Sequence, residues 1–217
     1  MSARDDVSRA SRRLAEAGLL IGTAGNVSMR TGELVAVTGT GVVLGECTHP
    51  QVTLVTLDGE VVDGTLAPTS ELDLHLGLYA DTEATAVVHT HAPYSTALAC
   101  VLDELPVIHY QQLLLGGAIR VAPYATFGTP ELATGVRTAL DGRQAALMGS
   151  HGSVAVGASL DKAVEHALLL EWLAALHHRA SALGSPRVLT DDEQEAVVLA
   201  ALQRNYGTPS PIDRNKP

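Results

Sequence analysis

The sequence predicts an α/β protein with a mixed, largely antiparallel sheet packed between helices. Three observations carry this. Short apolar runs of strand length are interspersed with segments of helical spacing along the 217 residues, so sheet and helix must bury their apolar faces against each other. Asp58-Gly59 stands between two such runs, a turn signal that joins antiparallel neighbours. No G-x-G-x-x-G follows the first strand, which argues against a doubly wound parallel sheet.

The elements follow in order. Val7, Ala10, Leu14 and Ala17 recur at helical spacing, and Gly18 lies where that first helix ends. Asn26–Met29, Leu34–Val37, Val52–Leu57 and Glu60–Val62 read as strands. Ser70–Ala80 reads as a helix with Leu72, Leu76 and Tyr79 on one face, Ser70 as its N-cap and Asp73 three residues on. Ala86–His89 is a short buried strand and Ser95–Cys100 a short helix. Ile119–Val121, Ala145–Met148 and Val154–Val156 are further strands, while Pro130–Leu140 and Leu160–Ala182 are helices. Thr190–Asn205 is a last helix, capped by Thr190 with Glu193 three residues on. The polar, proline-rich stretch 207–217 is expected to be mobile, leaving a single domain over 1–217.

Composition narrows the function. With 46% hydrophobic and 18% charged residues, the chain has material for a packed core. A net charge of −10 without a basic run speaks against nucleic acid as a partner. No apolar run approaches the ~18 residues of a membrane span, and Met1–Arg13 lacks a signal-peptide core, so no membrane partner is expected. Cys47 and Cys100 stand alone, which fits a reducing, cytoplasmic home. The nine histidines direct attention to metal ligands.

Four motifs carry chemistry. His89-Thr90-His91 ends a strand, where residues two apart point the same way, so both imidazoles can face one metal; taken alone, the motif is read more readily as strand-end histidines bonded to backbone. Gly149-Ser150-His151-Gly152 reads as a hairpin loop with an exposed His or as the third member of a His₃ set. In Pro68-Thr69-Ser70-Glu71, Glu71 is a helix-start acid or a ligand, and His75, one turn on, is a rival ligand. Gly22–Ser28 and Val37–Gly41 are rich in Gly, Thr and Asn, and such loops are either plain turns or backbone cradles for phosphate.

Joined in order, these pieces resemble the class II aldolase/adducin family. The resemblance rests on GTAGNVS at 22–28, VTGTG at 37–41, PTSE at 68–71, VVHTHA at 87–92, Ile108-His109-Tyr110, APYATFGT at 122–129, Ser150-His151-Gly152 and Asn205-Tyr206-Gly207. It covers nearly the whole chain up to Gly207. It implies an α/β/α sandwich around a mostly antiparallel sheet, assembled as a fourfold homotetramer with active sites between subunits. It implies one zinc per chain (or Mn, Co or Fe) on His89, His91, His151 and Glu71, with His75 structural. It implies that Gly25, Asn26, Thr38, Gly39, Thr69 and Ser70 bind the substrate and its phosphate. Tyr110 matches a catalytic tyrosine given to a neighbouring subunit, and Phe127 and Tyr206 match residues shaping the aldehyde end. The family's aldolases tend to carry Ser where this chain has Thr69, whose methyl narrows the pocket, and an aromatic residue where it has Gln203.

The activity implied is reversible retro-aldol cleavage of a ketose 1-phosphate, of the L-fuculose 1-phosphate kind, to dihydroxyacetone phosphate and a short aldehyde. The reaction leaves an enediolate, which a metal ion stabilises. Glu71 would move a proton at the enediol carbon with a raised pKa once free of the metal, and Tyr110 a proton at the aldehyde oxygen. Related activities on the same scaffold are 4-epimerisation, dehydration and decarboxylation. A metal-free, adducin-like binding module is the alternative of another class.

Overall fold

Short apolar runs, those at the centre buried on both faces, build one sheet. The computed structural model describes residues 2–204, 206 and 207. Its strands are β1 (Asn26–Thr31), β2 (Leu34–Thr38), β3 (Val52–Thr56), β4 (Val61–Asp63), β5 (Ala86–Thr90), β6 (Glu104–Leu105), β7 (Ile119–Ala122), β8 (Ala145–Met148) and β9 (Gly152–Gly157). They form a nine-stranded sheet in the order β4-β3-β2-β1-β5-β9-β8-β7-β6. Among the described residues only the β7–β8 pairing is parallel; the others are antiparallel. The mixed, mostly antiparallel sheet read from the sequence is therefore present.

The helices are α1 (Ala3–Glu16), α2 (Leu72–Asp81), α3 (Pro93–Ala99), α4 (Pro130–Leu140), α5 (Leu160–Leu183) and α6 (Asp191–Arg204). They cover the sheet on both faces. Val88, Leu147 and Ala155 turn towards a core with Leu14 of α1, Leu98 of α3 and Leu170 and Leu173 of α5. Their neighbours Val87, Met148 and Val154 turn the other way, towards Leu78 of α2 and Val136 and Leu140 of α4. Successive strand residues point to opposite faces, so a two-sided core needs uninterrupted apolar strands such as Ala145–Met148, buried throughout.

Two expectations need correction. Ser70 does not cap α2: the cap position is Glu71, whose side chain makes no capping bond. The fully buried face of α2 consists of Leu74, His75, Leu78 and Tyr79, while Leu72 and Leu76 are half-buried at its edge. Elsewhere the agreement is close. Thr190 and Glu193 exchange the expected capping-box bonds at 3.2 and 2.9 Å. Gly59 takes a positive φ of 87° in the β3–β4 turn. Strand β6 and the 3₁₀ helix Tyr110–Leu115 were not legible as periodic segments. Apart from Gly207, the tail thought mobile lies outside the described residues, as does Asn205. Among the described residues, no helix is long and apolar enough to cross a membrane.

Leu170 is fully buried in the α5 layer. Leu170→Ala should therefore lower unfolding free energy by about 2–5 kcal/mol, read from urea denaturation.

Candidate active site

The site forms where β5 runs out. Asn26 of β1 pairs with His89 of β5, and His89 pairs with Val154 of β9. Asn26, Ser28, Val87 and His89 share the face covered by α2 and α4, because cross-strand partners point to the same side. His91, two residues beyond His89, joins them. His151 comes from the tight turn between β8 and β9. Its neighbour Ser150 has a φ of 51° and is the one non-glycine with positive φ among the described residues. The helix cap supplies Glu71.

These four side chains meet. The ring nitrogens of His89 and His91 lie 3.0 Å apart. Glu71 Oε2 is 3.2 Å from His89 Nε2, and Oε1 is 3.5 Å from His151 Nε2. One ligand atom from each histidine falls within a 4.8 Å span. His89 Nδ1 lies 2.9 Å from the Ser153 carbonyl. A carbonyl only accepts, so Nδ1 carries a proton and donates it there, which turns Nε2 towards the cluster.

Electrostatics suit a cation. Burial pushes the His91 ring down to about 4, helped by His89 and His151. Burial likewise lowers His151, as does the nearby His89. Both rings are thus held neutral, the form that binds metal. For Glu71, burial works upward, but the hydrogen bond and charge of His89, the Asn26 amide and His151 outweigh it and hold the carboxyl below its usual range. The sequence expectation of a raised pKa is corrected here: the residue sits among imidazoles and an amide, not beside apolar groups alone. Glu71 Oε1 is buried without a hydrogen-bond partner. A buried oxygen of an ionised carboxylate is costly unless something positive meets it. The donor set, with three imidazoles and one unsatisfied carboxylate oxygen, fits a divalent transition metal.

Above this floor opens a pocket of about 520 Å³. Of the residues singled out from the sequence, Gly25, Asn26, Gly39, Thr69, Ser70, Glu71, His91, Phe127 and His151 line it. Its described lining holds no Lys or Arg. Thr38 is placed differently. Its hydroxyl accepts the Val27 N–H at 3.2 Å, and its carbonyl accepts the Thr69 N–H at 3.0 Å, so it ties the two loops together from behind. His75 is fully buried and bonded to Ser28 and Asn26, away from the histidine cluster. Tyr110 and Tyr206 lie elsewhere in the same chain. They touch through their hydroxyls at 3.0 Å and line a separate apolar groove with Leu114 and Leu202.

The pocket also uses residues not singled out before, namely Thr23, Thr40, Tyr124 and Ser150. Thr23, Thr40 and Tyr124 stand inside the Gly-Thr and APYATFGT motifs, and Ser150 inside Ser-His-Gly, so the signal was position within those loops. Gly25 is required where it stands. Its φ is 98°, and an added Cβ would lie 2.9 Å from the His89 carbonyl oxygen.

Fold and floor together define a metal-dependent α/β enzyme whose centre is assembled from strand ends and a helix cap. Comparison with known proteins gives the family. The model described as "Class II Aldolase and Adducin N-terminal domain" matches residues 5–178. The 5-deoxy-D-ribulose 1-phosphate aldolase of Bacillus thuringiensis serovar kurstaki is 35% identical over 207 residues, covering 94% of this chain and 96% of that protein. The L-fuculose phosphate aldolase of Escherichia coli strain K12 is 39% identical over 192 residues, 88% of each. A solved L-fuculose 1-phosphate aldolase superposes with a TM-score of 0.87 at 33% identity, covering 91% of this chain and 95% of that one. The chain belongs to the class II aldolase and adducin family, and it is an enzyme of the lyase class.

Gly25→Ala should cost about 1–3 kcal/mol, from the strained backbone and the clash with His89. Thermal unfolding compared with the parent chain checks it.

Proposed function

We propose that the chain is a zinc-dependent aldolase that reversibly cleaves a ketose 1-phosphate into dihydroxyacetone phosphate and a short aldehyde. The observation that carries this is the convergence of His89, His91, His151 and an ionised Glu71 beneath a pocket walled by hydroxyls and main chain. Similarity to proteins named as L-fuculose phosphate and 5-deoxy-D-ribulose 1-phosphate aldolases supports the reaction class. The intact ligand set favours an enzyme over a binding module. The enzyme is proposed to work in the cytoplasm as a homotetramer.

His89, His91, His151 and Glu71 would hold zinc, which would supply Lewis-acid stabilisation for the negative charge that bond cleavage leaves. Gly25, Asn26, Thr69 and Ser70 bind the substrate and its phosphate through N–H and O–H donors; Gly39, whose N–H is taken by the Gln51 carbonyl at 2.8 Å, forms the wall against which it sits, and Thr38 holds the two loops in register. Glu71 moves the proton at the carbon that carries the developing charge. Its unpartnered Oε1 supports that role. Tyr110 donates and accepts the proton at the aldehyde oxygen, from a neighbouring subunit. Two facts support that arrangement: Tyr110 is outside its own chain's metal pocket, and it is exposed beside Leu114 and Leu202. Phe127 and Tyr206 shape the aldehyde end, and Phe127, 65% exposed at the rim, is free to meet it.

The test is product analysis over a panel of ketose 1-phosphates; no cleavage of any member, with metal supplied, overturns the reading. Elemental analysis should find about one zinc per chain, removable by chelation with loss of activity. The fold should persist, because the two apolar cores lie between the sheet and its helices and do not draw on the ligand side chains.

Glu71→Gln should abolish both cleavage and exchange of a dihydroxyacetone phosphate hydrogen with solvent. Tyr110→Phe should slow cleavage by about 10²–10⁴-fold yet leave that exchange nearly intact, since no aldehyde takes part. Reassembled mixtures of the two inactive variants should regain partial activity. A mixture as inactive as its parents contradicts supply of Tyr110 across subunits.

A further inference from the structure

Behind Glu71 runs a line of buried polar groups of which the roles above use only Asn26. Asn26 Nδ2 donates to Glu71 Oε2 at 2.9 Å. The Asn26 amide oxygen meets His75 Nε2. His75 Nδ1 lies 2.6 Å from Ser28 Oγ, and Ser28 Oγ lies 2.6 Å from the Tyr79 hydroxyl. All five residues are buried, with His75 and Ser28 sealed completely. The line arises from two simple periodicities. Asn26 and Ser28 are alternate residues of β1, and His75 and Tyr79 are one turn apart on α2, so the strand face and the helix face mesh.

The hydrogen positions follow from chemistry. An ionised carboxylate only accepts, so Asn26 must present its NH₂ to Glu71 and its carbonyl to His75. His75 must then donate from Nε2. Burial lowers its pKa to about 3, so the ring is neutral and Nδ1 is an acceptor. Ser28 donates to Nδ1 and in turn accepts from Tyr79. Every donor points the same way, from Tyr79 through Ser28, His75 and Asn26 to the carboxylate. Reversing the Asn26 amide would set its oxygen against Glu71 and its NH₂ against the Nε2–H. The network therefore admits one orientation.

We infer that His75 and Ser28 are positioning residues of the active site: through the one-directional hydrogen-bond line they lock the Asn26 amide, and the locked amide aims the Glu71 carboxylate at the histidine cluster. The inference rests on Glu71 serving as metal ligand and proton carrier. It assigns a purpose to polar groups that an apolar core would not need. Outer partners of metal ligands commonly change metal affinity or activity by about 10–100-fold when removed.

Three measurements test it. Nitrogen-15 NMR of the unaltered protein should show His75 as the neutral Nε2–H tautomer; an Nδ1–H ring or a charged ring overturns the line. Zinc affinity, measured by competition with a chromophoric chelator, should fall about 10–100-fold in His75→Leu. His75→Gln, which can keep a donor near the Nε2 position, should recover most of that loss. In both variants kcat should move more than KM, since Glu71 acts on the proton and not on phosphate binding. Tyr79→Phe and Ser28→Ala, small changes unlike the Leu substitution, should show the same direction of effect if His75→Leu does not fold. Variants that lose only melting temperature, with zinc affinity and kcat within about twofold of the parent, overturn the positioning role. If the unaltered protein binds no zinc, the aldolase reading fails together with the role at the metal. The tautomer measurement still decides the hydrogen-bond order separately.

Discussion

Strand β5 is hydrogen-bonded to β1 on one side and β9 on the other, and the site hangs from its last residues. A strand paired on both sides cannot slip without breaking two ladders and inverting every side chain. Its register fixes Asn26 opposite His89 and Ser153 opposite Thr90. The first pairing brings the amide that meets Glu71. The second places the Ser153 carbonyl where it holds the His89 ring. His91 follows by the two-residue repeat, and its loop is anchored just downstream. Glu171 of α5 accepts from the Tyr94 and Ser95 N–H groups and the Ser95 hydroxyl at 2.7–2.9 Å. The histidines thus inherit their precision from the sheet and from a carboxylate in the opposite helix layer.

The electrostatic problem is unusual for a site read as binding phosphate. The chain carries a net charge of −10, and the described pocket lining has no cationic side chain. Long-range attraction of an anion must be weak, so affinity has to come from short-range donors. The loops answer this structurally. Gly39 and Pro68 form an isolated bridge, and Thr40 N–H bonds the Ala67 carbonyl at 2.9 Å. The two loops are tied edge to edge, which fixes the hydroxyls of Thr40, Thr69 and Ser70 along the pocket before any ligand arrives. Preorganised donors need little reordering on binding, and that offsets the missing charge.

Most of the architecture was legible because its signals are local. Short apolar runs bounded by turn residues gave the buried strands, helical spacing gave α1 and α5, and a capping box gave α6. The histidine set was legible only in part. Spacing joined His89 to His91, but nothing local joined either to His151, 60 residues away; the family resemblance did that. His75 shows the limit most clearly. Residue spacing alone made it as good a ligand as Glu71, since both lie on one turn of helix. The fold separates them because the chain turns at Glu71, while His75 is already inside α2 and faces Ser28. Strand β6 and the 3₁₀ helix at Tyr110 were missed for another reason. They are too short to show a period, and their positions are set by packing.

The start of α2 explains why a glutamate can serve the site at all. A helix cap ordinarily lends its side chain to the first free N–H groups, and losing that bond costs roughly 1 kcal/mol. Here the side-chain bond to backbone is made by Thr69, two residues before the cap. Thr69 Oγ1 accepts the Glu71 N–H at 3.3 Å, and the Thr69 carbonyl accepts the Leu72 N–H at 3.2 Å. With Thr69 serving the backbone, the Glu71 carboxylate is released from its own helix and turns towards His89 and His151. The same threonine receives the loop contact from Thr38 and lines the pocket. A hydroxyl at position 69 is thus needed twice, for the turn and for the pocket wall, and either serine or threonine meets the first need. The methyl of Thr69 matters only to the second, so a difference in ligand preference at this position can arise without disturbing the geometry that frees Glu71.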